Sequence, residues 1–590
     1  MKPKSAQGHP PRGDSPARAP AGIALEWWMA GGLLVLVQAA LISALHTPAP
    51  HPGGDNAGYL SLGHALSQGL GYVELWAPGE PPHTKYPPVF PALLALLMSV
   101  GVASWGGFKL VMGLLVSLAG ILTFVWVGGR RGALAGLGVA LLTILSAGWL
   151  EASRWILSEP LFLVLLMLTL WAGDRALGDR GVGEASRDPK PEGGGDTEGG
   201  RVGSAGSATG WVVLAAGAAL LAFFTRSAGL PVVLALVAAF ALAGRIRPAA
   251  ITGGVAALLG SLWFLRVRGE AEGAYQSEFW MVNPYQPELG TIGLPGLAGR
   301  AISNLMTYVG RVIPAEWWGD AGILLVGLGV ALVGLALAGW ILRMRARATI
   351  GVAELFLPLY AGLILIWPEV WAGDRFVLPL YPLLLLYAGE ALVWVTSRSE
   401  RRWLPAVVVA TAVLALAVPA VPGALAKADA ASECRALGVA DPFRCLGAPM
   451  MEFRDAAAWA GENLPDDVLV LNRKPRIFYW LGGTPGQTFP FTHDPDVFLE
   501  VADAVGAGYL LVDAVDGISI GYLPSLVEGA LGAFCWIEGW GQFTDLLGIL
   551  PSDRRGGDEI LACPPELSGV PGEAPPLPSG LDRRLMPRLR

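Results

Sequence analysis

The feature that most constrains this chain is a series of eleven apolar runs, at 23–45, 107–128, 132–150, 157–173, 211–225, 228–243, 248–266, 321–342, 350–367, 375–396 and 403–423. A helix crossing the hydrocarbon core of a bilayer needs about 20 predominantly apolar residues, fewer when it packs inside a bundle. Lipid offers backbone amides no partners, so such runs fold as helices that close their own hydrogen bonds. Composition agrees. The 590 residues are 53% hydrophobic and only 15% charged, where soluble domains carry roughly a quarter charged residues. The runs at 211–225 and 228–243 are short, and the TRSAG break with Pro231 leaves open whether they are two spans or one kinked span. Segment 88–101 is shorter still and flanked by proline, which predicts an amphipathic helix lying along the membrane surface.

Basic residues orient the spans, because loops rich in Lys and Arg stay on the cytoplasmic side. Lys2, Lys4, Arg12 and Arg18 precede the first run, and Arg130 and Arg131 follow the second. Arg245 and Arg247, then Arg343, Arg345 and Arg347, then Arg398, Arg401 and Arg402 mark later turns. With eleven spans all of these clusters face one side. The loops 46–106, 151–156, 267–320 and 368–374, and the tail beyond about 424, then face the other. The net charge of −7 adds little, since the charges sit in loops and tails. Residues 1–22 have no apolar core and precede the first run, so that run is expected to anchor rather than be cleaved as a leader. They read as a disordered cytoplasmic tail, 178–210 as a flexible Gly-rich cytoplasmic linker, and 566–590 as a second disordered tail.

Residues 426–565 alternate helix patterns with short apolar strands: MEFRDAAAWAGENLP, DVLVLN, KPRIFYWLGG, DPDVFLEVADAVGAG, YLLVD, FCWIEGW and EILAC. That alternation predicts a small α/β domain. All four cysteines, Cys434, Cys445, Cys535 and Cys563, lie in this region. Two close pairs in one tail suggest disulfides and an oxidising compartment, with four buried free thiols as the alternative. Cys535 and Cys563 sit on the last two strand candidates, where a cross-strand bridge fits, and Cys434 and Cys445 would close a short loop. The cysteines and the basic clusters place the tail outside independently of each other.

Acidic residues next to a span are costly unless solvated or paired. Asp55 stands in the first outer loop, in GGDNAGYLSLGHALSQGLGY, where it reads equally well as a helix cap or as a working carboxylate. Glu151 and Glu159 frame the next outer turn in WLEASRWILSEPLFLVLL; Glu159 at a helix start fits a capping role, or forms with Asp55 a two-carboxylate site. Lys85, Arg226 and Arg375 lie at outer ends of apolar runs, placed to snorkel to headgroups or to hold a phosphate, and Asp374 offers Arg375 a local partner. Tyr59, four residues after Asp55, and Tyr86, beside Lys85, are candidate substrate-binding residues. His51, His64 and His83 share the first loop, and with Asp55 they could ligate a divalent metal. Their spacing matches no compact metal motif, so no metal ligand and no cofactor is assigned. The loop 267–320 is rich in Trp, Tyr and Pro, which suits a membrane-interface belt, stacking on sugar rings or contact with a lipid chain. No Gly-rich nucleotide loop or Walker pattern is present, and no basic block points to nucleic acid.

The order GGDNAGYLSLGHALSQGLGY, KYPPVFPALLALL, SEPLFLVLL, TRSAGLPVVLAL and DRFVLPLYPLLLLYAGEAL resembles the GT-C superfamily of membrane glycosyltransferases over about residues 23–425. The likeness is to the branch of protein O-mannosyltransferases and bacterial lipid A aminoarabinose transferases. It implies a polytopic α-helical membrane protein of about 11 transmembrane helices, here followed by a small extracytoplasmic α/β domain. The implied activity is transfer of a hexosyl or pentosyl group from a polyprenyl-phosphate donor to a hydroxyl of a glycolipid, polysaccharide or protein. It would act at the outer face of a bacterial cytoplasmic membrane, with inversion. The resemblance assigns Asp55 as general base, Glu159 as second acid with Glu151 as rival, and Lys85, Arg226 and Arg375 as donor-phosphate contacts. Two other classes remain: a transporter or lipid flippase, which calls for mid-membrane charges and an internal repeat, and a non-catalytic envelope assembly protein. No clear repeat is visible, and the singled-out charges gather at outer helix ends.

Overall fold

The structure is a computed structural model that describes residues 25–178, 202–268, 275–320, 322–346 and 350–568. The tail at 1–22, most of the linker at 178–210 and nearly all of the tail at 566–590 lie outside the described residues.

All eleven apolar runs fall on helices. The chain opens with α1 (Leu25–Leu45), and its first long loop carries α2 (Gly54–Ser67) and α3 (Val89–Ser99). Next come α4 (Trp105–Arg131), α5 (Ala133–Ile144), α6 (Ala147–Ala152) and α7 (Glu159–Gly178). Then follow α8 (Val202–Thr225), α9 (Leu230–Leu242), α10 (Ile246–Val267) and, in the second long loop, α11 (Leu294–Thr307). The membrane part closes with α12 (Leu324–Ala346), α13 (Val352–Leu365), α14 (Tyr381–Thr396) and α15 (Leu404–Leu437). Among the described residues eight helices are long and apolar enough to cross a membrane, while α5, α9 and α13 are shorter apolar helices. This is a multi-pass membrane protein.

Local chemistry explains where the helices depart from the apolar runs. The run 132–150 is two helices, because α6 restarts behind Ser146 and the buried Gly148 N–H donates to Glu316 Oε2 at 2.7 Å. The runs at 211–225 and 228–243 are separate helices, with Pro231 in the first turn of α9, where its missing N–H costs nothing. α8 begins at Val202, so its first turns occupy part of the stretch expected as linker. α3 buries Phe90, Pro91 and Leu94 and leaves Leu96 and Val100 exposed, the two-faced pattern expected of it. α12 packs along α14, where a Cβ at Gly339 would land on the Tyr387 carbonyl oxygen, so glycine lets the two backbones meet.

α15 runs unbroken past residue 425 into the C-terminal α/β domain. That domain is built from α16 (Ala448–Asn463), β1 (Val470–Asn472), α17 (Pro475–Gly482), β2 (Gly486–Thr488), α18 (Pro495–Val505), β3 (Tyr509–Val512), α19 (Gly517–Glu528), β4 (Phe534–Trp540), β5 (Thr544–Ile549) and β6 (Leu561–Ala562). They form one mixed sheet of order β2-β1-β3-β5-β4-β6, parallel across β2, β1 and β3 and antiparallel across β3, β5 and β4. Successive strand residues point to opposite faces. Leu510 and Val512 of β3 accordingly join a cluster with Phe498 and Leu526, while Tyr509 and Leu511 join Phe453 and Ile477 on the other face. Both disulfides form as paired above, Cys434–Cys445 and Cys535–Cys563. The second joins β4 to the residue just beyond β6, its parallel neighbour.

Candidate active site

α2 starts behind Gly53 with no side-chain cap, which releases Asp55 in its first turn from the capping role. Asp55 Oδ1 instead accepts from the Tyr86 hydroxyl at 2.7 Å and from Arg476 Nη1 at 3.3 Å, and Oδ2 faces Arg375 Nη1 at 3.5 Å. The next residue ties this helix to the second outer turn: Asn56 Oδ1 accepts the Ile156 N–H at 2.7 Å. That turn ends in Ser158 and Glu159. Ser158 Oγ meets the Tyr59 hydroxyl at 3.1 Å and Arg226 Nη1 at 3.2 Å. Glu159 Oε1 holds Arg226 Nη1 at 2.5 Å and Arg375 Nε at 2.8 Å. Arg375 therefore stands between the two carboxylates and binds both.

The turn before the Pro pair is clamped from behind. His83 Nδ1 pairs with Glu74 Oε1 at 2.6 Å, and its Nε2 accepts the Tyr86 N–H at 2.8 Å. The Tyr72 hydroxyl donates to the Tyr86 carbonyl at 2.8 Å. This fixes Tyr86 against Asp55 and sends Lys85 toward Glu278, whose two oxygens it holds at 2.9 Å each.

Asp55, Tyr59, Lys85, Tyr86, Arg226 and Arg375 all line one cavity of about 370 Å³, and Glu159 lies directly behind Arg226 and Arg375. The seven residues expected to act on substrate thus come together. Glu151 does not join them, because it pairs with Lys427 and with Arg154. Sequence reasoning missed two contributors, Arg476 on α17 and Trp371, and gave Asp374 only as a partner for Arg375; Trp371 lines the cavity and donates to the Tyr285 hydroxyl at 3.3 Å. Tyr285 comes from the NPYQPELG stretch and supplies an aromatic wall. Trp317 of the same loop is buried in the helical core instead.

The charges on the cavity wall and their direct ion-pair partners balance. Lys85, Arg226, Arg375 and Arg476 give four positive groups against Asp55, Glu159, Glu278 and Asp374. Burial pushes the Asp55 carboxyl up, but Arg476, Arg375 and the Tyr86 hydrogen bond outweigh it and hold the group below the usual carboxylate range. Its side chain keeps 38% exposure, directed into the cavity. Glu159 Oε2 is buried and has no hydrogen-bond partner among the described residues.

The histidines do not converge with Asp55. His51 accepts from Gly53 N at 2.9 Å and lies 3.1 Å from Asn56 Nδ2, and burial pushes its imidazole down to about 4, so it is neutral near pH 7. His64 packs edge-on against Trp480. Among the described residues no three His, Cys, Asp or Glu side chains are grouped to hold a metal ion. A wider cleft of about 680 Å³ lies between α4, α5, α12, α14 and α15. Its walls are apolar and its charged end is closed by the Arg131–Glu390 pair at 2.7 Å, so it suits a lipid chain rather than chemistry.

A bundle of apolar helices carrying acids and guanidinium groups at one end, with a mixed α/β domain above, defines a class of membrane protein with the GT-C fold. Solved structures make the likeness concrete. The oligosaccharyltransferase AglB from Archaeoglobus fulgidus, in complex with an inhibitory peptide and a dolichol-phosphate, superposes with a TM-score of 0.52 at 14% identity, over 88% of this chain and 74% of that one. The apo form of the oligosaccharyltransferase from the same organism gives 0.52 at 15% identity, over 91% and 76%. ArnT from Cupriavidus metallidurans in the apo state gives 0.48 at 14% identity, over 90% and 99%. No family model matches the sequence, and no curated protein matches it either.

Proposed function

We propose that this chain is a membrane glycosyltransferase that moves a sugar from a polyprenyl-phosphate donor to an acceptor hydroxyl. The observation that carries the proposal is the single cavity in which Asp55 faces Lys85, Arg226 and Arg375 at the ends of apolar helices. The fold shared with AglB, solved with a dolichol-phosphate, supports it. So do the aromatic walls at Tyr285, Trp367 and Trp371, which suit a sugar ring.

Sugar-phosphate lipids already carry a leaving group, so the enzyme has two tasks. It takes a proton from the acceptor, and it stabilises charge on the departing phosphate. Asp55 takes the proton as the acceptor oxygen attacks the anomeric carbon; the carbon–oxygen bond to the phosphate breaks, and its electron pair leaves on the phosphate. The phosphate gains one negative charge in this step, and Arg375 and Lys85 are the cations placed to meet it. Because these charges balance one another, a bound phosphate competes with the carboxylates for those cations. Arg375 is the looser of the two guanidinium contacts to Asp55, at 3.5 Å. Drawing it toward the phosphate leaves Asp55 less stabilised as an anion and hence more basic when the donor is in place. Glu159 holds Arg226 and Arg375 in position for this exchange.

The basic clusters and the disulfide-bonded domain support a cytoplasmic N-terminus and an extracytoplasmic α/β domain, with the site on the outer face of a bacterial inner membrane. Radiolabelled polyprenyl-phosphate hexoses and pentoses presented to the purified chain test the activity. A single displacement predicts a product of inverted anomeric configuration, and retention contradicts it.

A further inference from the structure

Arg476 reaches Asp55 from the outer domain, 421 residues away in sequence. Its helix, α17, packs on α2, and the crossing point is Gly58, one turn beyond Asp55. A Cβ at Gly58 would stand 2.7 Å from Arg476 Cδ, so only glycine lets the arginine stem pass. The guanidinium then lies over two rings of the first loop, 5.1 Å from the centroid of Trp76 and 5.3 Å from that of Tyr86. It ends with Nη1 at 2.7 Å from the Tyr86 hydroxyl and 3.3 Å from Asp55 Oδ1. A second link runs beside it, from the Gly486 N–H of β2 to the Trp76 carbonyl at 2.9 Å.

Two donors therefore occupy Asp55 Oδ1, and among the described residues Oδ2 meets the long Arg375 contact. We propose that Arg476 is a positioning residue: with Tyr86 it pins Oδ1, turns Oδ2 toward the acceptor, and makes the α/β domain part of the active site. This rests on the reading of Asp55 as the base. The account also gives the outer domain a task that its fold alone does not reveal. Only a chain with that domain docked presents Asp55 in its working orientation.

The groups around Asp55 set the control experiments. Arg476 faces it from α17, Arg375 from the short helical turn Asp374–Val377 that precedes α14, and Lys85 and Tyr86 from the first loop. Tyr59 lies on its own helix, and Glu159 acts through Arg375. Arg476→Gln removes the outer-domain cation and leaves the others. Gly58→Ala displaces the same cation by steric contact while replacing glycine with a better helix former.

The test labels Asp55 in the purified full chain with a carbodiimide and an amine, followed by peptide mass mapping from about pH 2.5 to 7, a range that starts below the usual carboxylate value. The carboxyl oxygen adds to the carbodiimide carbon while its proton passes to the carbodiimide nitrogen, and the amine then displaces the urea, so labelling falls as Asp55 ionises and its midpoint reports Asp55 without any sugar donor. Loss of an adjacent cation moves a carboxylate upward by about one unit or more. Arg476→Gln and Gly58→Ala are each expected to show that shift, and the double variant no more than either alone. With a donor, kcat falls about 100-fold in each, while KM for the donor and binding of undecaprenyl phosphate change less than about threefold. Unchanged midpoints, or additive effects in the double variant, overturn the proposal. If Arg476→Gln does not fold, Gly58→Ala decides it alone. Transfer retained by Asp55→Asn would instead sink the reading of the base, and the labelling result would still stand.

Discussion

The two oxygens of Asp55 have different surroundings, and the residue-scale predictions follow from that. Its folded pKa is depressed, so the carboxylate stays ionised to pH below the usual range, and the stability it contributes is lost only as pH falls through the lowered value. Transfer should therefore show no loss attributable to Asp55 between about pH 5 and 8, measured as kcat/KM; a half-loss within that window would contradict the pairing with Arg476 and Arg375. Glu159 has a different kind of burden. It is 5% exposed and pairs with two guanidiniums, so Glu159→Gln removes their shared charge and leaves Arg226 on the Ser158 hydroxyl and Arg375 on the longer Asp55 contact. Breaking a buried pair in this way costs about 3–5 kcal/mol, to be read as a lower melting temperature of the purified protein. The sequence shows Lys85, Glu159, Arg226 and Arg375 because each is a charge at the end of an apolar segment, and Asp55 because its loop motif resembles that of a known family. It hides Arg476, which sits on an ordinary amphipathic helix of a soluble-type domain and acquires its role only when α17 lands on α2.

At the scale of elements, packing against neighbours decides what periodicity cannot. The eleven apolar runs were legible because a span must be continuous and apolar whatever surrounds it. The break at Ser146 was not, because it depends on Glu316 arriving from the second long loop. In the outer domain β1, β3, β4 and β6 were legible as apolar bursts. β2 (GQT) and β5 (TDLLGI) were not, since one is three residues and the other carries the buried Asp545. A second buried acid, Asp513, makes a prediction for this domain. Burial pushes its carboxyl up to about 6, and Oδ2 has no partner among the described residues. A raised carboxyl favours the folded state below its unfolded value near 3.9, and that advantage is lost as pH rises through about 6, at a cost of up to about 3 kcal/mol. Asp513→Asn should therefore raise the unfolding temperature of the full chain at pH 7.5, by roughly half as much at pH 5, and change it little at about pH 3.5. Equal shifts at all three would contradict the burial argument. In the membrane, Gly339→Leu should prevent α12 from meeting α14 and abolish recovery of folded protein in detergent.

For the whole molecule, the site lies where three separate parts meet: the first loop, the helix ends at Glu159, Arg226 and Arg375, and the outer domain. That geometry requires loop and domain to share one side of the membrane. Mass mapping under non-reducing conditions should recover Cys434–Cys445 and Cys535–Cys563 from cells, and four free thiols would contradict an oxidising outer compartment. The central claim is that Asp55 removes the acceptor proton in transfer from a polyprenyl-phosphate sugar. Its most direct measurement is the rate of label transfer by wild type and by Asp55→Asn under saturating donor. The account predicts that the variant binds undecaprenyl phosphate normally and transfers about 10²–10⁴ times more slowly. Equal rates would contradict it.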